Sequence, residues 1–266
     1  MGSFKLAMID FEFGLAQFEI FILILMRIAS FVYVAPIFNT ANTPRRVKVA
    51  FAFFLAVLVY SINHDMSVEY QGAIEYAAIV LKEVVVGLLL GAMASFCVQI
   101  IMFSGKMIDM DVGLAMAEIM DPTTHIQVGI LGNFYYYMLL MLLLISGLHQ
   151  YLIAAIVETY NVIPIGKVTF SMSIYQEVVG FMSDYFIIGF RIALPIFAAT
   201  LVLNCVLAIL AKVAPHMNML IVGMQLKIFV GIFVVFFTVI MLPAVSTLIE
   251  DQIRSLLASL VRGMSP

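Results

Sequence analysis

Residues 84–105 read VVVGLLLGAMASFCVQIIMFSG, 22 consecutive positions without a formal charge. A helix needs about 20 predominantly apolar residues to cross the hydrocarbon core of a bilayer. The apolar positions here are contiguous and do not alternate, which indicates a helix and argues against the short alternating strands of a membrane barrel. Gly87, Gly91 and Ser95 stand one turn apart within the run. Such a ladder of small residues lets two helix backbones approach closely.

The flanking sequence extends the same pattern over the whole chain. Of 266 residues, 64% are hydrophobic and 11% charged, and the mean hydropathy is +1.15. A soluble domain carries about a quarter charged residues. The excess apolar surface therefore needs lipid or other protein to cover it, and no separate soluble domain fits. The net charge of −3 gives no basic field for nucleic acid. Residues 50–63, 122–157, 192–211 and 228–249 are also free of formal charge. Six hydrophobic stretches emerge, at 13–38, 47–62, 72–103, 126–163, 178–213 and 219–249. The fold class is an all-α membrane protein.

Several stretches exceed one straight span. Residues 178–213 would extend about 54 Å as a helix at about 1.5 Å per residue. Pro195 lies inside and frees the carbonyl of Arg191, so a kink or break is expected there. Residues 126–163 are long enough to fold back as a hairpin near Gly147. Broken helices at membrane depth need protein or water beside them, which points to an assembly or a pore.

The connections are polar. Residues 39–46 read NTANTPRR, and Arg45, Arg46 and Lys48 place this turn on the cytoplasmic side by the positive-inside rule. Later connections carry mixed charge and decide little. Pro215 and Asn218 mark the connection before the last stretch. The tail is amphipathic, with Ile249, Ile253, Leu256, Leu257 and Leu260 on one face, and reads as a docked or interfacial helix. Asp10, Glu12 and Glu19 interrupt the pattern of a cleaved signal peptide. Both cysteines, Cys97 and Cys205, read as small buried apolar side chains.

No catalytic or metal-binding pattern is present in the sequence. The four histidines are widely separated, and no phosphate loop, dinucleotide fingerprint or nucleophile elbow occurs. The chain reads as no enzyme and as needing no cofactor. The informative polar residues are the charges in or near apolar runs: Arg27, Lys82, Glu83, Asp184, Arg191 and Lys227. Such charges pair inside a bundle or face water. Lys82 and Glu83 are adjacent and point to different faces, so each needs its own partner. Glu83 is expected to pair with Arg27 or Arg191. Residues 105–122, GKMIDMDVGLAMAEIMDP, mix glycine, methionine and acid between two long helices. They read as an ordinary connecting loop or, given the flexibility of methionine, as a deformable seal.

These motifs together resemble one family. Arg27, Pro36 and TPRRVK (43–48) are followed by SGKMIDMDVG (104–113), Asp121 and Pro122. GLH (147–149), RIALP (191–195), APHMN (214–218) and GMQLK (223–227) complete the series. In order and spacing they resemble the FliR/SctT family, components of the type III secretion export gate. His216, Gln225 and Asp111 depart from the residues that family often carries.

The resemblance implies one integral membrane export-gate subunit over residues 1–266. Residues 1–125 and 126–213 would be FliP-like and 214–266 FliQ-like. Long, kinked helical hairpins would pack into a helical assembly with FliP-like and FliQ-like subunits. The implied setting is the bacterial inner membrane at the flagellar basal body, partly raised toward the periplasm, with other export-apparatus proteins and lipid as neighbours. The implied role is structural and gating, in a channel for unfolded secreted proteins. By position, Gly105, Asp109, Gly113, Met116, Met120, Asp121 and Pro122 are the plug candidates. Arg27, Lys82, Glu83, Arg191 and Lys227 are expected as buried charges or subunit contacts. Gly87, Gly91, Ser95, Pro195, Pro215 and Asn218 are expected to set helix packing and kinks. A small-molecule secondary transporter is the alternative, since broken helices and intramembrane charges suit that class too. No internal repeat supports it.

Overall fold

A computed structural model describes residues 14–40, 43–62, 68, 70–114, 129–216 and 218–266. Its regular elements are all helical. They are α1 Leu15–Val34, α2 Arg45–Ile62, α3 Ala73–Val112, α4 Ile130–Ile145, α5 Leu148–Val162, α6 Met172–Val213, α7 Met219–Thr238 and α8 Leu242–Met264. A short 3-10 turn, Val239–Met241, joins the last two.

The charge-free run 84–105 lies inside α3, and α3 is the axis of the fold. It packs against α1, α4, α6, α7 and α8. Alignment with α1 is parallel: Tyr76 reaches the carbonyl of Glu19, Gly87 faces Arg27, and Gly91 faces Phe31. A Cβ on Gly87 would collide with the Arg27 carbonyl, and one on Gly91 would lie 2.9 Å from the Phe31 carbonyl. The small-residue ladder therefore works within the chain. Ser95 is half-buried, beyond this contact, and accepts a hydrogen bond from Gln99 at 3.1 Å.

Helix α6 also runs parallel to α3. Tyr185 donates to the Gln99 carbonyl at 3.4 Å, Ser104 to the Gly189 carbonyl at 2.9 Å, and Thr200 to Asp111. The α7–α8 rod returns antiparallel along α6, with Gly223 beside Leu207, Ser259 hydrogen-bonded to Glu177, and Gly263 against Ile174. The expected tail face is docked: Ile249, Ile253, Leu256, Leu257 and Leu260 are all buried. This helix begins at Leu242, earlier than the periodicity alone indicated.

Three expectations need correction. Pro195 does not break its helix, because α6 continues unbroken for 42 residues. Hydrogen bonds to α3 flank the proline, at Gly189 and Thr200. The 126–163 stretch does divide at Gly147, whose φ of +84° suits glycine, but α4 and α5 meet at a bend of 68° and do not fold back as a hairpin. Residues 105–112 are the last two turns of α3 and not a loop. Ser104, Gly105, Ile108, Asp109 and Val112 repeat at helical spacing on its buried side. Gly113 then closes the helix in the left-handed conformation, φ +91°.

Candidate functional site

Arg27 and Glu83 meet in the core, both fully buried. Arg27 Nε donates to Glu83 Oε2 at 2.5 Å. Its Nη1 donates to Thr159 Oγ1 at 3.2 Å and to the Ile163 carbonyl at 3.1 Å. The guanidinium lies 4.4 Å from the centroid of the Tyr160 ring, and the Tyr160 hydroxyl donates to the Ile24 carbonyl at 3.0 Å. Glu83 Oε1 accepts the Gly166 amide at 3.0 Å. One ion pair thus joins α1, α3, the end of α5 and the turn leading to α6. Such a pair is tolerable in a low-dielectric core only when its remaining donors and acceptors are also met. Among the described residues, Arg27 Nη2 alone of this pair's polar atoms has no partner. The sequence left Arg27 or Arg191 as the partner of Glu83, and the structure selects Arg27. Thr159, Tyr160 and the backbone groups gave no sequence signal.

The second constellation sits where α3 meets α4. Asp109 is 3% exposed. Its Oδ1 accepts the Leu131 amide at 3.0 Å, and its Oδ2 accepts the Gly132 amide at 3.1 Å. These are free amides of the first turn of α4, so Asp109 caps a neighbouring helix with a carboxylate where the dipole favours one. A Cβ on Gly129 would strike this carboxylate, and one on Gly105 would strike the Gly132 backbone. The two stems flanking residues 115–128 are therefore fastened together. Of the plug candidates, Gly105 and Asp109 belong to this junction, Gly113 closes α3 beyond it with open space around it, and Met116, Met120, Asp121 and Pro122 lie outside the described residues.

The other expected charges do not converge. Lys82 and Arg191 are exposed in this chain and Lys227 is half-buried, with no ion pair for any of them among the described residues. Lys82 and Glu83 do point to different faces. Pro195, Pro215 and Asn218 are exposed. Cys97 is buried, but Cys205 is exposed, contrary to expectation. Outside the helices, the Tyr70 hydroxyl donates to Glu19 Oε2 at 2.7 Å, and this hydrogen bond raises its pKa above the ordinary tyrosine value. No group of three or more metal-ligating side chains occurs among the described residues.

Four helical segments are long and apolar enough to cross a membrane, or five if the bent α4–α5 pair counts as one. With a core fastened by buried polar contacts and long apolar helices left bare, the molecule is a multi-helix membrane protein. Residues 18–255 match the family model for bacterial export proteins, family 1, and the chain belongs to that family. It is 31% identical over 222 residues to the flagellar biosynthetic protein FliR of Bacillus subtilis (strain 168), covering 80% of this chain and 83% of that protein. It is 26% identical to FliR of Buchnera aphidicola subsp. Baizongia pistaciae (strain Bp), over 94% and 98% of the two chains. Identity to FliR of Escherichia coli (strain K12) is 25%, over 78% and 79%. This membership makes the chain an export component and not an enzyme.

Proposed function

We propose that this chain is a structural and gating subunit of the flagellar type III protein export channel. The match to the export family over 18–255, with relatives named FliR across most of their length, carries the reading. In it, the subunit assembles with FliP-like and FliQ-like partners and other export-apparatus membrane proteins, and unfolded secreted proteins pass through the complex. Residues 1–125 and 126–213 form its FliP-like part and 214–266 its FliQ-like part.

The charge pattern supports an assembly partly raised from the inner membrane toward the periplasm. The charge-free part of α3 lies beside the half of α6 that exposes Glu177 and Asp184, and beside the part of α8 that carries Asp251 and Arg254. A single apolar slab does not suit both flanks at that level. Partner helices on one side and a polar environment on the other do.

In this reading, residues 115–122 belong to a plug that helps close the resting channel, and Gly105, Asp109 and Gly113 anchor it. The plug fits the way Asp109 and the close Gly105–Gly132 approach fasten its two stems. Deleting residues 113–120 is expected to raise ion leakage across the membrane without preventing assembly. Unchanged conductance in an assembled complex would refute the plug.

A further inference from the structure

The second half of α6 and α7 form a hairpin that outruns the other described elements. Helix α3 ends at Val112, level with Thr200 and Gly231. Beyond that level, no other described element accompanies residues 201–229. Every residue from Leu201 to Val213 is exposed except Leu203 and Leu207, which are half-buried. In this half of α6, exposed side chains such as Leu194, Phe197, Val202, Val206, Ile209 and Leu210 spread over an arc of roughly 220° at about 100° per residue. A single neighbouring helix would cover a narrower stripe.

The charge spacing matches a bilayer. Residues 192–211 are charge-free, and Arg191 and Lys212 close the two ends. Twenty helical residues extend about 30 Å, the thickness of the hydrocarbon core, and basic residues at such ends send their heads to the interface. Helix α7 carries a single charge, Lys227, which is half-buried. Asp109 and Asp111 reach the near end of the hairpin but turn inward, one capping α4 and the other holding Thr200.

We infer that the hairpin of residues 192–238 is the part of this chain that meets lipid, its outer face in contact with acyl chains, and that Arg191 marks the boundary. The inference rests on the reading of the chain as partly raised, and it assigns the inserted portion. Cys205 lies within the exposed arc and is the accessible native thiol, since Cys97 is buried.

The test is a nitroxide on Cys205 in the co-expressed, assembled complex, held in phospholipid nanodiscs. Its collision rates with oxygen and with a water-soluble nickel chelate are then measured. Lipid contact predicts oxygen collisions severalfold above chelate collisions. Frequent chelate collisions mean water, and low rates for both mean burial by a partner subunit; either result overturns the inference. A second label at Val179→Cys in a Cys205→Ala background probes α6 on the other side of Arg191, where Val179 is exposed. The oxygen preference should be lost there, and the same preference at both sites would overturn the boundary. Native mass spectrometry of the same sample reports assembly separately, so a failed lipid signature is distinguishable from failed subunit recognition.

Discussion

Helices α3 and α6 are of similar length and hydropathy, yet their surroundings differ. In α3, 56% of the spanning window is buried within the chain; in α6 the share is 17%. Glycines make part of that difference. Gly87 and Gly91 bring the α1 backbone onto α3 and Gly105 brings that of α4, whereas Gly180 has open space where a Cβ would stand. Several polar residues follow the same division. Glu83, Ser104 and Asp109 on α3 are buried and bonded, while Glu177, Asp184 and Arg191 on α6 are exposed. One helix is built to hold this chain together, and the other is left for what surrounds it.

The strongest challenge to this contrast is the core ion pair. Glu83→Leu alone leaves Arg27 buried without its counter-charge, which costs about 3–5 kcal/mol. Loss of folded, detergent-extractable protein is the expected outcome, measured by protease resistance. Arg27→Leu should match it, and the double variant should lose far less than the sum of the two. Additive losses would mean that the pair does not act as a unit.

Next in size are the glycine contacts. Gly105→Leu forces a side chain against the Gly132 backbone, and overpacking of this kind costs about 1–3 kcal/mol. Gly180→Leu on α6, with open space around it, should leave the stability of the chain within about 0.5 kcal/mol. Thermal denaturation of the two variants side by side checks the contrast.

Asp109→Ala removes the cap on α4, for which about 0.5–2 kcal/mol is typical. Asp109→Asn keeps the shape and part of the hydrogen bonding, so its loss should be smaller. If the junction anchors the plug, both variants should leak ions in proportion to that loss while the complex remains assembled. The smallest effect on folding is expected at Arg191. Exposed and without an ion pair among the described residues, it should tolerate Arg191→Ala within about 0.5 kcal/mol. A larger loss would mean that the α6 flank supports the fold after all.

Much of the α3 side was legible in the sequence. Gly87 and Gly91 showed their spacing, and Arg27 and Glu83 stood out as opposite charges where charges are costly. Their further partners were hidden, because the Ile163 carbonyl and the Gly166 amide are backbone groups that any residue supplies. Residues 105–112 read as a loop because methionine, glycine and acid suggest one. The helical period of Ser104, Ile108 and Val112 was present in the same letters, and α4 supplies two amides to the buried Asp109, which no local signal conveys. Pro195 suggested a kink or a break; the helix is continuous, with contacts from Gly189 and Thr200 to α3 on either side that no local signal conveys. On α6, composition alone did not separate lipid-facing from partner-facing surface, since both are apolar.

The proposed role makes this chain one subunit of an export channel. Native mass spectrometry of the chain co-expressed with FliP-like and FliQ-like proteins tests it most directly. A defined complex holding one copy of this chain is expected. A stable lone protein that ignores both partners would contradict it.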